Sequence, residues 1–241
     1  MMSTLFRSAA LAASLIATGA VSANTTHDAF VNVANSATFD GFNQLIAGRI
    51  TAANLTAGLA SNVADSDHAA TLRRLSGAFY PASFGLYSFS TDSTFAFNVA
   101  SAVEDLSAVT LQTFISVDTS QGVTGLLSAA YLPTLSYNGG TQALAAVYNV
   151  TSVSGGFGMD GTPLEADPNN PNYGYFTWDL SGITTPITSF SVNFGISVHS
   201  SALAFQLDQV TTPVPEPETY ALMLAGMGVV GLVARRRKAQ H

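Results

Sequence analysis

The stretch FSVNFGISV, residues 190–198, alternates large apolar side chains with small or polar ones. Successive side chains of a β-strand point to opposite faces of the sheet, so this alternation places the apolar side chains on one face. They are Phe190, Val192, Phe194, Ile196 and Val198. The stretch therefore predicts a long strand with one buried face and one small, polar face.

The same two-residue period recurs along the chain after about residue 84. Further predicted strands are residues 87–89 with their neighbours, 94–100, 109–117, 132–137, 143–150, 173–180 and 203–207. Clusters of Gly, Ser and Asn, such as Asn138-Gly139-Gly140, separate them and favour turns. No helical pattern lies between these strands, which argues against a parallel sheet. We therefore expect a mainly β fold, an antiparallel β-sandwich with jelly-roll-like connections.

The preceding part of the chain has a weaker pattern. Residues 42–59 fit either a helix or a strand. Residues 66–75 begin with Ser66, a residue type that caps helices, and continue with Ala69, Leu72 and Leu75 at helical spacing. This pattern predicts a short helix that ends at Gly77.

Charge is scarce, since only 10% of the residues are charged and the net charge is −7. Between residues 23 and 214 there are three Arg and no Lys, against thirteen Asp and Glu. This balance excludes a nucleic-acid partner. It also repels anionic polymers unless divalent cations bridge them, which favours neutral glycans or Ca²⁺-mediated contacts. The absence of Cys excludes disulfides and thiolate chemistry.

The N-terminus has the features of a secretory signal peptide, predicted over residues 1–23. Arg7 supplies positive charge, residues 9–20 are apolar, and small residues lead up to a cleavage site after Ala23. We expect export through the Sec machinery and a mature chain that starts at Asn24. The alternative is an uncleaved membrane anchor.

Three segments follow one another at the C-terminus. Residues 214–218 are an extended Pro- and Glu-rich segment, and residues 220–234 contain no charge. A helix of fifteen residues spans about 22 Å, whereas a bilayer core is about 30 Å thick. The basic cluster is Arg235, Arg236, Arg237 and Lys238. It would act as a membrane stop signal that holds this end in the cytoplasm. The alternative, an amphipathic or core helix, would require a polar face that this segment lacks.

From Thr212 to Lys238 this tail resembles the PEP-CTERM protein-sorting signal, in which a Pro-Glu-Pro motif precedes a short membrane helix and an Arg-rich end. Pro215, Glu216 and Pro217 supply that motif here. The resemblance implies recognition by an exosortase, a membrane transpeptidase that removes the tail near the motif. It also implies a Gram-negative bacterial host, usually one that makes exopolysaccharide. We accordingly divide the chain into the signal peptide, an extracytoplasmic β-sandwich domain at 24–212, and a sorting signal at 213–241.

Two loops are candidate binding sites. Residues 156–161 match G-x-G-x-x-G, but Thr162-Pro163 follows instead of a helix, so a β-turn is favoured over a nucleotide site. Residues 160–174 are rich in Asp, Glu and Asn, whose oxygen atoms can bind Ca²⁺. They lack the regular Asp spacing of a calcium loop, which favours a solvated loop. Ca²⁺ is thus the only cofactor with a candidate site, and no metal ligand is assigned.

Aromatic residues cluster after that loop and are candidate glycan contacts, because a flat apolar ring suits the C–H face of a sugar. The candidates are Tyr173, Tyr175 and Trp178. In a strand, Tyr173 and Tyr175 share one face while Phe176 and Trp178 share the other, so one pair is expected in the core.

No residue pattern selects a catalytic site. His199 precedes Ser200, but no G-x-S-x-G elbow exposes a nucleophile. We therefore expect a non-catalytic structural or adhesive protein of the cell surface or exopolysaccharide matrix, with carbohydrate binding as its contact chemistry. Before processing, the C-terminal helix would hold the precursor transiently in the inner membrane. The alternatives are a secreted glycan-acting enzyme, which would require a carboxylate pair, and a passive matrix filler that carries glycans.

Overall fold

A computed structural model describes Thr26 and residues 30–83, 85–117, 131–152, 172–212, 223 and 225–227. The elements, in chain order, are β1 Ser36–Phe42, α1 Ala52–Ala57, β2 Leu59–Ala60, β3 Ala70–Ser76, β4 Phe79–Ala82, β5 Gly85–Ser88, β6 Ser93–Val99, β7 Leu106–Val117, β8 Thr134–Tyr137, β9 Leu144–Ala145, β10 Val147–Ser152, β11 Tyr173–Asp179, β12 Phe190–Ile196 and β13 Ser200–Thr211. The prediction of a mainly β protein is confirmed.

The strands form two antiparallel sheets. The first sheet has the order β10-β11-β7-β13-β5-β4, and β1 also pairs with β13. Because β7 occupies one edge of β13 along its whole length, β5 and β1 share the other edge. The second sheet has the order β2-β3-β6-β12-β8-β9.

Phenylalanine side chains join the two sheets face to face. Phe205 of β13 lies with its ring centroid 5.2 Å from those of both Phe95 and Phe97 of β6. Phe176 of β11 lies 5.9 Å from Phe194 of β12. All four strands thus contribute to one buried core, and such ring pairs add about 0.5–1.5 kcal/mol each beyond the burial of their area.

The alternating stretch at residues 190–198 contains a strand as predicted. This strand, β12, ends at Ile196, two residues before the end of the stretch. Its apolar side chains are buried, and its ladder runs from Phe190 opposite Val99 to Ile196 opposite Ser93. The strand predicted at residues 143–150 is divided into β9 and β10.

The helix predicted at residues 66–75 is wrong, because residues 70–76 form strand β3. Leu72 is fully buried in the core and lies opposite Phe97 of β6. Pairing with β2 and β6 buries this strand, and tertiary packing of this kind overrides a local capping signal. The ambiguous residues 42–59 contain the end of β1 and the short helix α1, which Thr51 and Asn54 cap reciprocally.

Thr26, Phe30 and Val31 lie against part of the outer face of the first sheet. The Thr26 backbone N–H donates to Oε1 of Gln206 over 3.0 Å. The Val31 N–H donates to Oε1 of Gln112 over 2.7 Å, and Nε2 of Gln112 donates back to the Val31 carbonyl over 2.8 Å. Phe30 lies in a second, smaller apolar cluster on this face. The side-chain amides of Gln206 and Gln112 therefore supply hydrogen bonds to the backbone of Thr26 and Val31, as the backbone of a neighbouring strand would.

The expected signal peptide lies outside the described residues, as does most of the tail. Residues 223 and 225–227, within the apolar tail segment, are helical. In the described part of the chain no helix is long and apolar enough to cross a membrane.

Candidate functional site

The chain leaves the sandwich at the end of β13. β13 ends at Thr211, where Leu106 of β7 lies opposite, and β1 begins beside it with Ser36 opposite Val210. A groove of about 420 Å³ at this end is lined by Asn35, Ser36, Ala37, Glu104, Asp105, Thr211 and Thr212. A second groove of about 630 Å³ lies between segments 101–106 and 183–188 and shares Glu104 and Asp105. Two exposed carboxylates thus flank the point of exit.

Exposed aromatic side chains lie at the opposite end of the same strand. Tyr80 of β4 lies opposite Tyr87 of β5, and Tyr87 lies opposite Ser201 at the start of β13. The Tyr87 ring centroid is 6.1 Å from Phe89 and 6.2 Å from His199. We call Tyr80, Tyr87, Phe89 and His199 the distal aromatic patch.

The polar tips of the patch are ordered by their neighbours. The Tyr87 hydroxyl lies 2.8 Å from the ring atom Nδ1 of His199. The backbone N–H of His199 donates to the Ser88 carbonyl over 2.7 Å. The Arg74 guanidinium lies 5.2 Å from the Tyr80 ring centroid, in a cation–π contact. Tyr80 is 46% exposed and Phe89 62% exposed. The patch therefore combines open ring faces with fixed hydrogen-bonding groups.

The three predicted glycan-contacting aromatics are placed differently from one another. Trp178 is 2% exposed, and its Nε1–H donates to the Leu144 carbonyl over 2.9 Å. Tyr173 lies stacked on Phe114, with 4.4 Å between ring centroids, in the cluster that contains Phe30. Tyr175 is half-buried. The core side of β11 is thus the Phe176 and Trp178 side, and of the three candidates Tyr175 has the most open surface.

Two carboxyls are buried on neighbouring strands β1 and β13. Asp40 Oδ1 accepts from the Ser61 hydroxyl over 2.7 Å, and Oδ2 accepts from the Ala70 N–H over 3.1 Å. The Ser61 hydroxyl also lies 3.0 Å from Nδ1 of His68. Burial raises the pKa of Asp40, although the hydrogen bond from Ser61 opposes this shift.

Asp208 is the second buried carboxyl. Oδ2 accepts from Nε2 of Gln206 and Oδ1 from the Ser36 hydroxyl, each over 2.9 Å. Burial, with a smaller contribution from Asp40, raises the pKa of Asp208 to about 6. Both carboxyls are only 1% exposed, so they face the protein interior and not a substrate.

Several predicted site residues fall outside the part of the chain described. They are Ala23, Pro215, Glu216, Pro217, Arg235, Arg236, Arg237 and Lys238, together with the glycine-rich turn and residues 160–171 of the candidate calcium loop. Among the residues that are described, no group of three or more His, Asp or Glu could hold a metal ion.

Residues 213–238 match the PEP-CTERM protein-sorting motif. The matched range contains the predicted Pro-Glu-Pro motif and the basic cluster, so the resemblance found in the sequence is confirmed. No curated protein and no solved structure matches the chain. The motif indicates an exported protein that an exosortase sorts.

The PEP-CTERM motif begins directly after the folded domain. Thr212 alone separates the end of β13 from the first matched residue. The strand has twelve residues, and at about 3.3 Å per residue its two ends lie about 35 Å apart. The point at which the chain leaves β13 and the distal aromatic patch therefore lie at opposite ends of this strand.

Sequence reasoning missed the distal aromatic patch. Tyr80, Tyr87 and Phe89 lie close together in the chain, on β4, on β5 and directly after β5, but His199, in the turn before β13, is 110 positions beyond Phe89. One local signal was available, since Tyr87 and Phe89 alternate with the buried Leu86 and Ser88 and therefore occupy the outer face.

Proposed function

We propose that the chain is an exosortase-processed structural or adhesive protein of the cell surface or exopolysaccharide matrix, with a non-catalytic, glycan-contacting domain. The observation that carries this proposal is the sorting motif at residues 213–238. The motif begins directly after β13, and the hydrogen-bonded ladders of the sandwich end at Thr211. This position supports separate roles for the folded domain, which makes contacts, and for the tail, which directs sorting. A jelly-roll-like connection of the two sheets and a signal peptide at residues 1–23 stay predictions.

The proposed route has three steps. The domain folds after export, while the short apolar helix holds its C-terminus at the inner membrane. Residues 214–218 are stiffened by their prolines and present an extended backbone just outside the bilayer. The exosortase cleaves there, and the domain passes to the surface or matrix without the helix and basic cluster.

The two buried carboxyls have a structural role. Retaining glycosidases require two carboxyl groups about 5–5.5 Å apart that flank the scissile bond. Asp40 lies opposite Leu207 and Asp208 opposite Phe39, so the two carboxyls lie on opposite faces of the sheet, and both are enclosed. They accept hydrogen bonds from Ser61, Ala70, Gln206 and Ser36, which gives them a role in holding β1 to the domain.

Intact-mass and terminal-peptide analysis of the protein from native culture tests the sorting proposal. The expected chain starts at Asn24, ends near residues 215–218 and is found at the surface or in the medium. Glu216→Ala, within the Pro-Glu-Pro motif, is expected to accumulate as an unprocessed membrane-bound chain. Glu218→Ala is the matched control, because it removes the same charge just outside the motif and should be processed normally. A wild-type chain that still ends at His241 in the membrane fraction would overturn the proposal.

A separate measurement distinguishes a binding protein from the secreted glycan-acting enzyme. The processed protein is incubated with polysaccharide, and new reducing ends are counted over time. A structural or adhesive protein produces none. Steady release of oligosaccharides would replace the present proposal with the enzyme alternative.

A further inference from the structure

We propose that the distal aromatic patch is the glycan-binding surface of this domain and that it takes a neutral polysaccharide chain. This inference rests on the proposed surface or matrix function and gives it a site. Of the predicted candidates, Trp178 and Tyr173 are buried and Tyr175 is half-buried, whereas Tyr80 is 46% exposed and Phe89 62% exposed.

The composition of the patch favours sugars over an apolar protein partner. Isolated exposed aromatic residues are common on protein surfaces, but clusters of them mark binding sites. Here Tyr87 lies at the centre, with Phe89 and His199 both within 6.2 Å of its ring centroid. Each open ring can cover the C–H face of a pyranose, while the hydroxyl and imidazole groups can reach its hydroxyl groups.

Two structural features hold the rings in place before any ligand binds. The Arg74 guanidinium lies over Tyr80 and also donates to the Phe79 carbonyl over 3.5 Å, so it links β3 of the second sheet to edge strand β4 of the first. The hydrogen bond between Tyr87 and His199 fixes the second ring. A surface that is ordered in advance loses little side-chain entropy on binding.

Charge selects a neutral polymer. Residues 23–214 contain thirteen acidic and three basic residues, which repels polyanions over the whole domain. Arg74 keeps its positive charge in the contact with Tyr80, and Asp92, which accepts from the Val198 N–H and the Tyr131 hydroxyl, places a carboxyl group next to His199. The acidic balance of the domain as a whole therefore favours a chain of uncharged sugars over one that carries uronate or phosphate groups.

The orientation of the domain agrees with this assignment. The tail leaves at the C-terminal end of β13 and the patch lies at the N-terminal end, about 35 Å away. In the precursor, before the tail is removed, this arrangement would place the patch at the end of the domain that faces away from the membrane.

The test uses protein exported and processed by the native host, applied to arrays of neutral and uronate-containing polysaccharides with and without Ca²⁺. Wild type is expected to bind neutral glycans. Phe89→Ala and Tyr80→Ala are each expected to weaken binding at least tenfold, because truncated aromatic anchors commonly lose about this much affinity. Phe89→Trp should retain binding, because it keeps an open ring. Val147→Ala is the matched control, since Val147 is 66% exposed on edge strand β10 of the same sheet.

Three results of the binding assay would overturn the inference. They are the absence of glycan binding by the wild type, binding that tolerates both alanine substitutions, and binding restricted to uronate glycans. Sedimentation of the same samples identifies a patch that joins two copies of this chain, and dimerisation lost in Phe89→Ala without glycan binding would also overturn it. The sorting proposal is judged by terminal mass analysis alone, so the two can fail independently.

Discussion

Replacing Asp208 by Asn should stabilise the protein at neutral pH. The Ser36 hydroxyl has one proton and faces two acceptors, Oδ1 of Asp208 at 2.9 Å and the Thr38 carbonyl at 2.8 Å. When Asp208 is protonated, it can donate to Ser36 while Ser36 donates to Thr38, and Gln206 still donates to the other oxygen. The Asp208→Asn side chain would reproduce this arrangement, since its amide nitrogen takes the place of the protonated oxygen.

The size of the effect follows from linkage. Burial raises the pKa of Asp208 from 3.8 to about 6, so between these values the folded state binds more protons than the unfolded state. The free energy of unfolding therefore falls as pH rises through this window. At about 1.4 kcal/mol per pKa unit, the free energy of unfolding of the wild type is about 3 kcal/mol lower at neutral pH than below pH 4. Asp40, whose pKa is also raised by burial, adds to the fall in the same direction.

Urea unfolding, followed by the fluorescence of the single buried Trp178, measures the difference. Asp208→Asn should match wild type near pH 4 and exceed it by up to about 3 kcal/mol near pH 7.5. Asp179→Asn is a control of opposite sign, because hydrogen bonds from Ser181 to this exposed carboxylate lower its pKa. Asp208→Asn that is no more stable than wild type at neutral pH would refute the argument.

Three further substitutions probe the fold. Phe205→Ala should cost about 3–5 kcal/mol of the free energy of unfolding, because the ring fills the space between the sheets; a cost below about 1 kcal/mol in urea titrations would contradict that packing. Gly77→Ala should lower Tm, since its φ is 81° and an added Cβ would lie 2.6 Å from the Ser93 Cα; an unchanged Tm would mean that this turn is differently built. Gln112→Ala should speed amide hydrogen exchange at Val31 and spare the core strands, because its side chain holds that segment; unchanged exchange at Val31 would show that other contacts suffice.

The strands that can be predicted correctly from the sequence are those whose pattern is local. In residues 190–196 and 109–115 apolar side chains enter the core with a two-residue period, which is visible without knowledge of the partner strand. Strand β3 has apolar residues at helical spacing in the sequence. It is a strand because pairing with β2 and β6 buries Leu72, and this pairing has no local signal. The strand order of each sheet depends on such long-range pairings and has no local signal.

The sorting motif and the distal aromatic patch also differ in how far each is visible in the local sequence. The sorting motif is a linear signal, because its parts follow one another directly in the chain, so its residues could be recognised from their order alone. The distal aromatic patch exists only after β4, β5 and the turn before β13 have come together. Residue spacing shows that Tyr87 and Phe89 share a face, but it could not show that Tyr80 and His199 lie beside them.

Strand β13 connects these two ends, and its bonding suggests that they act independently. It is hydrogen-bonded along one edge to β7 from Ser200 to Thr211, and along the other edge to β5 near its start and β1 near its end. A strand held on both edges transmits little local change, because moving it would break ladder bonds on both sides at once. We therefore infer that removal of the tail beyond Thr212 leaves the patch as it was before cleavage. The precursor at the membrane and the processed domain would then bind the same glycan with equal affinity, whereas a higher affinity after processing would show that the tail had been covering the patch.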